Sequence, residues 1–397
     1  MQCPGKSQKN LYLEKEMSET TDTTVPVYGK CDDKFQAVRD AFLSNFAESG
    51  EVGARVTVIQ GEETVVDLWG GYIDEDKTQE WREDTLVNTM SISKGILAMA
   101  AHLLAERGLL DYEAPVAKYW PEFGQAGKDK ITVRQLLSHQ ASLVYAEDAE
   151  PGDALDFDGY STKLAAQAPN WEPGTSPAYH SMTIGFLVGT LVKRIDGRPI
   201  EQFIREEFVE PLQADYILGC TDEDVKRVAP TIFNPENELM SGGLINEKTM
   251  PCFTLLPPDP MFFATPLHWK SVNPASSGVT NACGIARLFA PMANGGTFNG
   301  AKLYSPETIA AMSEVQWHDK DSLFGNEFRV TMGFLLNIDF NYYGREGNVG
   351  SAGAGGFVGF ADSENHLSFG YTPARMTTGP GMGNEPRRIV DALYASL

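Results

Sequence analysis

Two hairpin signals, one near each end of the chain, constrain this sequence most. Near the start, Ala54-Arg-Val-Thr-Val-Ile-Gln60 and Thr64-Val-Val-Asp-Leu-Trp69 are strand-like runs around the turn Gly61-Glu-Glu63. Near the end, Gly356-Phe-Val-Gly-Phe-Ala-Asp362 and His366-Leu-Ser-Phe-Gly-Tyr371 flank Ser363-Glu-Asn365 in the same way. Between them, residues from about 107 to 270 carry helical patterns separated by Pro/Gly/Asp loops, as in Thr132–His139, Met182–Lys193 and Ile200–Phe208. Strands at both ends with helices between imply one sheet built from both termini, flanked by helices, with an inserted mainly helical region.

The flanking segments complete this outline. Residues 1–30 are polar and read as a loose tail ahead of a domain spanning 31–397. Phe35, Val38, Phe42 and Phe46 recur at helical spacing, and Glu48-Ser-Gly50 marks the end of that helix. A closing helix fits Arg387–Tyr394. The α/β part then covers about 31–95 and 275–397, and the helical part about 96–274. Residues 230–270 are rich in Pro, Met and Phe without periodicity, as expected of a long excursion that shapes a binding site.

Composition narrows the function classes. With 397 residues, 42% of them hydrophobic, the chain can bury a large core. A net charge of −22 repels nucleic acid and anionic membrane surfaces, and simple solubility accounts for it better than cationic substrates or a salty habitat. Five scattered cysteines without Cys-x-x-Cys point to free thiols in a reducing compartment, hence a cytoplasmic location. No zinc-ligand pattern occurs, and no apolar run reaches the roughly 18 residues of a membrane span. The first residues lack a signal-peptide core, and Met17 fits a natural start, with 1–16 an extension.

The chemistry lies in three short stretches. Ser91-Ile-Ser-Lys94 sits directly before an apolar helical run, Gly95–Glu106. Positions three apart share a helix face, so a hydroxyl and an amine stack one turn apart. A neighbouring base activates a serine, and unpaired N–H groups at a helix start favour developing negative charge. An isolated Ser-x-x-Lys is also consistent with a plain N-cap and a solvated lysine. The second stretch, Tyr179-His180-Ser181, precedes another helical run and offers a phenol that a nearby ammonium would turn into a general base. The third, Gly350-Ser-Ala-Gly-Ala-Gly-Gly356, lets backbone pass close to a ligand. It is no phosphate loop, since no Gly-Lys-Ser/Thr follows, and the chain lacks the Gly-x-Ser-x-Gly of ordinary α/β-hydrolases.

Taken in order, these three stretches resemble the serine β-lactamase-like family, in its branch of class C β-lactamases, carboxylesterases, D-aminopeptidases and LACTB-like proteins. Ile131–His139, Trp171-Glu-Pro-Gly174, Ser277–Ala282 and Gly355–Asp362 add to the resemblance, which spans about 33–397. It implies an α+β sandwich of β-lactamase/transpeptidase type with an antiparallel sheet. It also implies a serine hydrolase working through an acyl-enzyme, with no metal or organic cofactor. Ser91 matches the nucleophile, Lys94 its proton partner and Tyr179 the base. The N–H groups of Ser91 and Ala354 match the oxyanion hole. His180, Ser181, Ser351, Gly353 and Gly355 match substrate-binding positions, while the place of His180 at a helix start suits a structural role at least as well.

Two departures stand out. Ser351 replaces the Lys or His expected to hold a substrate carboxylate, which argues against an efficient β-lactamase or DD-peptidase. Ser181 stands where many relatives carry Asn. The expected substrate is therefore a carboxylic ester or small amide. Action on short linear or D-residue peptides, acyl transfer, or a silent scaffold are the alternatives, and self-association into a homo-oligomer is left open. His139 reads as a buried, hydrogen-bonded histidine.

Overall fold

The computed structural model describes residues 25–237, 245–379 and 381–397. Both hairpins form, and they join. The main sheet contains β1 (Val27–Cys31), β2 (Gly53–Gln60), β3 (Glu63–Gly71), β4 (Trp317–Lys320), β5 (Glu327–Val330), β6 (Leu335–Leu336), β7 (Val349–Gly353), β8 (Phe357–Asp362) and β9 (Leu367–Pro373). Their order is β1-β3-β2-β9-β8-β7-β6-β5-β4, antiparallel throughout. The two termini meet at β2–β9, where Val58 faces Phe369 and Val56 faces Tyr371. β1 corrects the sequence reading of a loose tail through residue 30. Its residues are mostly exposed and gave no apolar signal, yet they pair with β3 as an edge strand.

Helices cover both faces of this sheet. On one side lie α1 (Gln36–Glu48) and the C-terminal helix Asn384–Ala395. Phe42, Phe46, Ile389 and Leu393 pack there with Val56, Val58 and Phe369. On the other side lie α2 (Ile92–Glu106), α3 (Val133–Leu137), α4 (Phe157–Ala166), α5 (Thr183–Asp196) and α6 (Ala282–Ala293). Ile96, Met99, Phe186, Leu191, Ile285 and Phe289 share one core there. α2 is buried around nearly its whole circumference, from Ile92 to Leu104, so it serves as the central rod rather than a surface helix. Among the described residues, no helix is long and apolar enough to cross a membrane.

Candidate active site

A short strand, Leu86–Asn88, delivers the chain to α2. It is held between Val279–Thr280 and Val228–Ala229, and the Asn88 side-chain amide donates to the carbonyls of Ser276 (2.8 Å) and Gly278 (3.0 Å). Met90 then turns sharply, with φ +50, a left-handed conformation that a non-glycine residue adopts only at an energetic cost. Ser91 follows at the N-cap of α2, but its side chain caps nothing. Its Oγ instead lies 2.8 Å from Lys94 Nζ, the one-turn stacking that the spacing implied.

Lys94 is buried, 6% exposed, and among the described residues it has no carboxylate partner. Its Nζ also donates to the carbonyl of Ala275 at 2.8 Å and lies 5.0 Å from the centre of the Tyr179 ring. Burial disfavours the ammonium and lowers the lysine pKa to about 7.

Tyr179 is gripped by its surroundings. Its ring lies 4.9 Å from that of His139 and stacks on Phe328 at 5.5 Å. The Ser91 hydroxyl hydrogen-bonds to the phenol, and the backbone N–H of Tyr179 donates to the Asp321 carboxylate. Burial raises the phenol pKa above its ordinary value. The Ser91 hydrogen bond pulls it down in part, and the Asp321 charge pushes it further up. Against the expectation of a phenol acidified by an adjacent ammonium, its pKa moves up, and burial disfavours the charged form of both groups.

The glycine-rich stretch forms β7 and the turn into β8. A Cβ on Gly353 would lie 2.3 Å from the Thr89 carbonyl oxygen, so only glycine lets this strand press against the segment that carries Ser91. Ala354 follows in the turn and shares a cavity wall with Ser91. Among the described residues, no hydrogen bond engages the backbone N–H of Ser91 or Ala354. Two donors beside the nucleophile are therefore free to take an acceptor.

The remaining expected site residues divide. Ser181 and Gly353 line the cavity, and the Ser181 Oγ is buried without a partner. His180 does not line it. Its Nε2 accepts from Leu143 N–H (3.1 Å), its Nδ1 lies 2.7 Å from the Ala178 carbonyl, and its backbone N–H donates to His139 Nδ1 (3.0 Å). The pair is a buried polar brace behind Tyr179, the role expected of His139 and the structural one of the two readings open for His180. Ser351 is also outside the lining. Its side chain packs on Gly95 and donates to the Ser91 carbonyl at 3.0 Å, so it fastens β7 to α2. Gly355 does not line the cavity itself but packs against Met376, which does.

The cavity encloses about 1070 Å³ of empty space, part of it open to solvent. Phe233, Phe253, Phe263, Phe324, Phe340 and Met382 contribute to a largely apolar wall. Three of these come from the aperiodic excursion anticipated to shape a site. Asn326, Asn341 and Ser276 supply polar points, and Lys94 is the only charged side chain among the described lining residues. Sequence reasoning missed Asn341, the Ala275 carbonyl and Asp321. Asp321-Ser-Leu-Phe324 did carry a local signal, since Asp is a common side-chain acceptor for the N–H groups two and three residues on. Its partner at Tyr179 carried none.

The family model described as Beta-lactamase matches residues 35–394. The Mycobacterium tuberculosis protein named Esterase/beta-lactamase LipL is 32% identical over 371 residues, covering 88% of this chain and 83% of that protein. Among solved structures, a family VIII carboxylesterase is 34% identical with a TM-score of 0.86, covering 94% of this chain and all of that one. A penicillin-binding protein homologue from Caulobacter crescentus is 33% identical with a TM-score of 0.83, with the same coverage. The fold and the serine-lysine-tyrosine cluster define a serine hydrolase of the β-lactamase/transpeptidase type. The chain belongs to the β-lactamase family.

Proposed function

We propose that this protein hydrolyses carboxylic esters with an uncharged, apolar acyl or alcohol part, through an acyl-enzyme on Ser91. The observation that carries this reading is the Ser91–Lys94–Tyr179 cluster set in the wall of an aromatic cavity that offers no Arg and no acidic side chain among its described residues. A substrate carboxylate would find no fixed cation there apart from Lys94, which the reaction needs in its neutral form. An apolar group would lose water favourably against Phe253, Phe324 and Phe340. The names of the relatives, esterase and carboxylesterase among them, support the same class.

In the proposed cycle the neutral Lys94 amine takes the Ser91 proton as Oγ attacks the ester carbonyl. The N–H groups of Ser91 and Ala354 receive the oxyanion, a role worth about 3 kcal/mol per donor in comparable sites. The tetrahedral adduct collapses, the C–O bond breaks, and Tyr179 gives its proton to the leaving alkoxide. The Lys94 ammonium then reprotonates Tyr179. Water repeats the sequence on the acyl-enzyme and releases the acid. Loss of the metal-free acyl-enzyme route is tested with p-nitrophenyl acyl esters of graded length. Ser91→Ala is expected to abolish turnover while the fold is kept, and unchanged turnover would overturn the assignment. Labelling of wild type by a fluorophosphonate, read by mass spectrometry, is expected at Ser91.

We further infer a cytoplasmic, small-molecule enzyme whose α/β and helical parts act as one catalytic domain. The unpaired state of Cys31, Cys220, Cys252 and Cys283 supports the reducing compartment.

A further inference from the structure

Asp321 is a buried carboxylate, 2% exposed, in the loop between β4 and β5. Among the described residues its carboxylate forms no ion pair within 4 Å, and the hydrogen bonds it accepts come from backbone N–H groups. One oxygen accepts from Leu323 (2.8 Å) and Phe324 (2.7 Å), and the other accepts from Tyr179, 142 residues away in sequence. The same loop is tied to the Tyr179 segment a second time, because Ser322 donates to the Pro177 carbonyl through both its Oγ (3.0 Å) and its N–H (3.2 Å). A neutral Asn could serve the two turn N–H groups through its one oxygen, but its NH2 would face the Tyr179 N–H, so the second carboxylate oxygen is what this crossing contact requires.

We propose that Asp321 is the positioning residue for Tyr179: one oxygen fixes the backbone beneath the phenol, while the other holds Phe324 in the cavity wall. A proton donor to the leaving alkoxide must be aimed at it when the adduct collapses, so a fixed Tyr179 backbone favours that step. The groups facing this pair are few. Tyr179 meets Ser91, Lys94, His139 and, electrostatically, Tyr343; Asp321 meets Lys248 and Cys252. Lys248 reaches the same loop by donating to the Ser322 carbonyl.

This inference rests on the Ser91 acyl-enzyme reading, and its test separates the two. In Asp321→Asn the acceptor for the turn N–H groups is kept, and the acceptor for the Tyr179 N–H is replaced by an NH2. The kcat for a p-nitrophenyl ester is expected to fall about tenfold or more with KM changed little. In a Tyr179→Phe background the same substitution should add almost nothing to the loss. Asp321→Glu, which retains both acceptor oxygens, should recover part of the rate. An unchanged kcat in Asp321→Asn, or losses that simply add in the double variant, would overturn the proposal. Hydrogen exchange of the wild-type Tyr179 amide is a check that needs no variant: strong protection is expected, and rapid exchange would refute the anchoring. If Ser91→Ala remains active, it is the acyl-enzyme reading that fails, whatever Asp321 does.

Discussion

Replacing Lys94 by Met should make the protein more stable while it destroys activity. The unfolded lysine titrates near 10.5, whereas the folded one titrates near 7 because it is buried without an anion. Below pH 7 both states bind the proton, and the fold bears the full penalty of a buried ammonium, on the order of 5 kcal/mol. Between about pH 7 and 10.5 the unfolded chain binds more protons than the folded one, so wild-type stability rises with pH across this window and then levels off. At pH 7 the penalty is on the order of 4 kcal/mol. Met fills similar volume and carries no charge, though it gives up the bond to the Ala275 carbonyl, worth about 1 kcal/mol. A net gain of about 3 kcal/mol remains, which for a chain of this length corresponds to roughly 4 °C in melting temperature. Urea denaturation of wild type and Lys94→Met from pH 6 to 9.5 checks this. The two stabilities should converge as pH rises. Parallel curves, or a wild type that loses stability between pH 7 and 9.5, would refute a neutral buried lysine. The same group sets the acid limb of catalysis, so kcat/KM for an uncharged ester should rise through about pH 7.

Two further substitutions probe the frame around the site. Gly353→Ala drives a methyl into the Thr89 carbonyl and pushes β7 away from Ser91, so a loss of at least 100-fold in kcat is expected with p-nitrophenyl butyrate, against a modest change in KM. His180→Leu leaves the Leu143 N–H and the Ala178 carbonyl without their buried partner; a loss of about 2–4 kcal/mol in urea-measured stability is expected, with the acid limb of the rate profile unmoved.

The legible parts of this protein were those that local rules govern. Phe42 and Phe46 fall on one helix face because 3.6 residues make a turn, and Ser91 and Lys94 stack for the same reason. The two hairpins were written in β-branched runs and turn residues, and their union into one antiparallel sheet followed from the need of each to bury a face. β1 was not legible, because an exposed edge strand leaves no apolar pattern. His180 and Ser351 were placed by motif and moved by packing. A motif names neighbours along the chain, while a side chain's partner is chosen by whatever backbone group lies across the fold, Leu143 in one case and Ser91 in the other.

By itself, then, the sequence determined that a serine and a lysine share a helix start between two sheet halves, and that a tyrosine and a glycine-rich strand accompany them. Only the tertiary structure decided which of them bears charge. Ionisation is set by solvent access and by distant partners. Burial brings Lys94 toward neutrality, and Asp321 reaches Tyr179 across 142 residues of chain. No local pattern encodes either, because both depend on what surrounds a group in space and not on what adjoins it along the backbone.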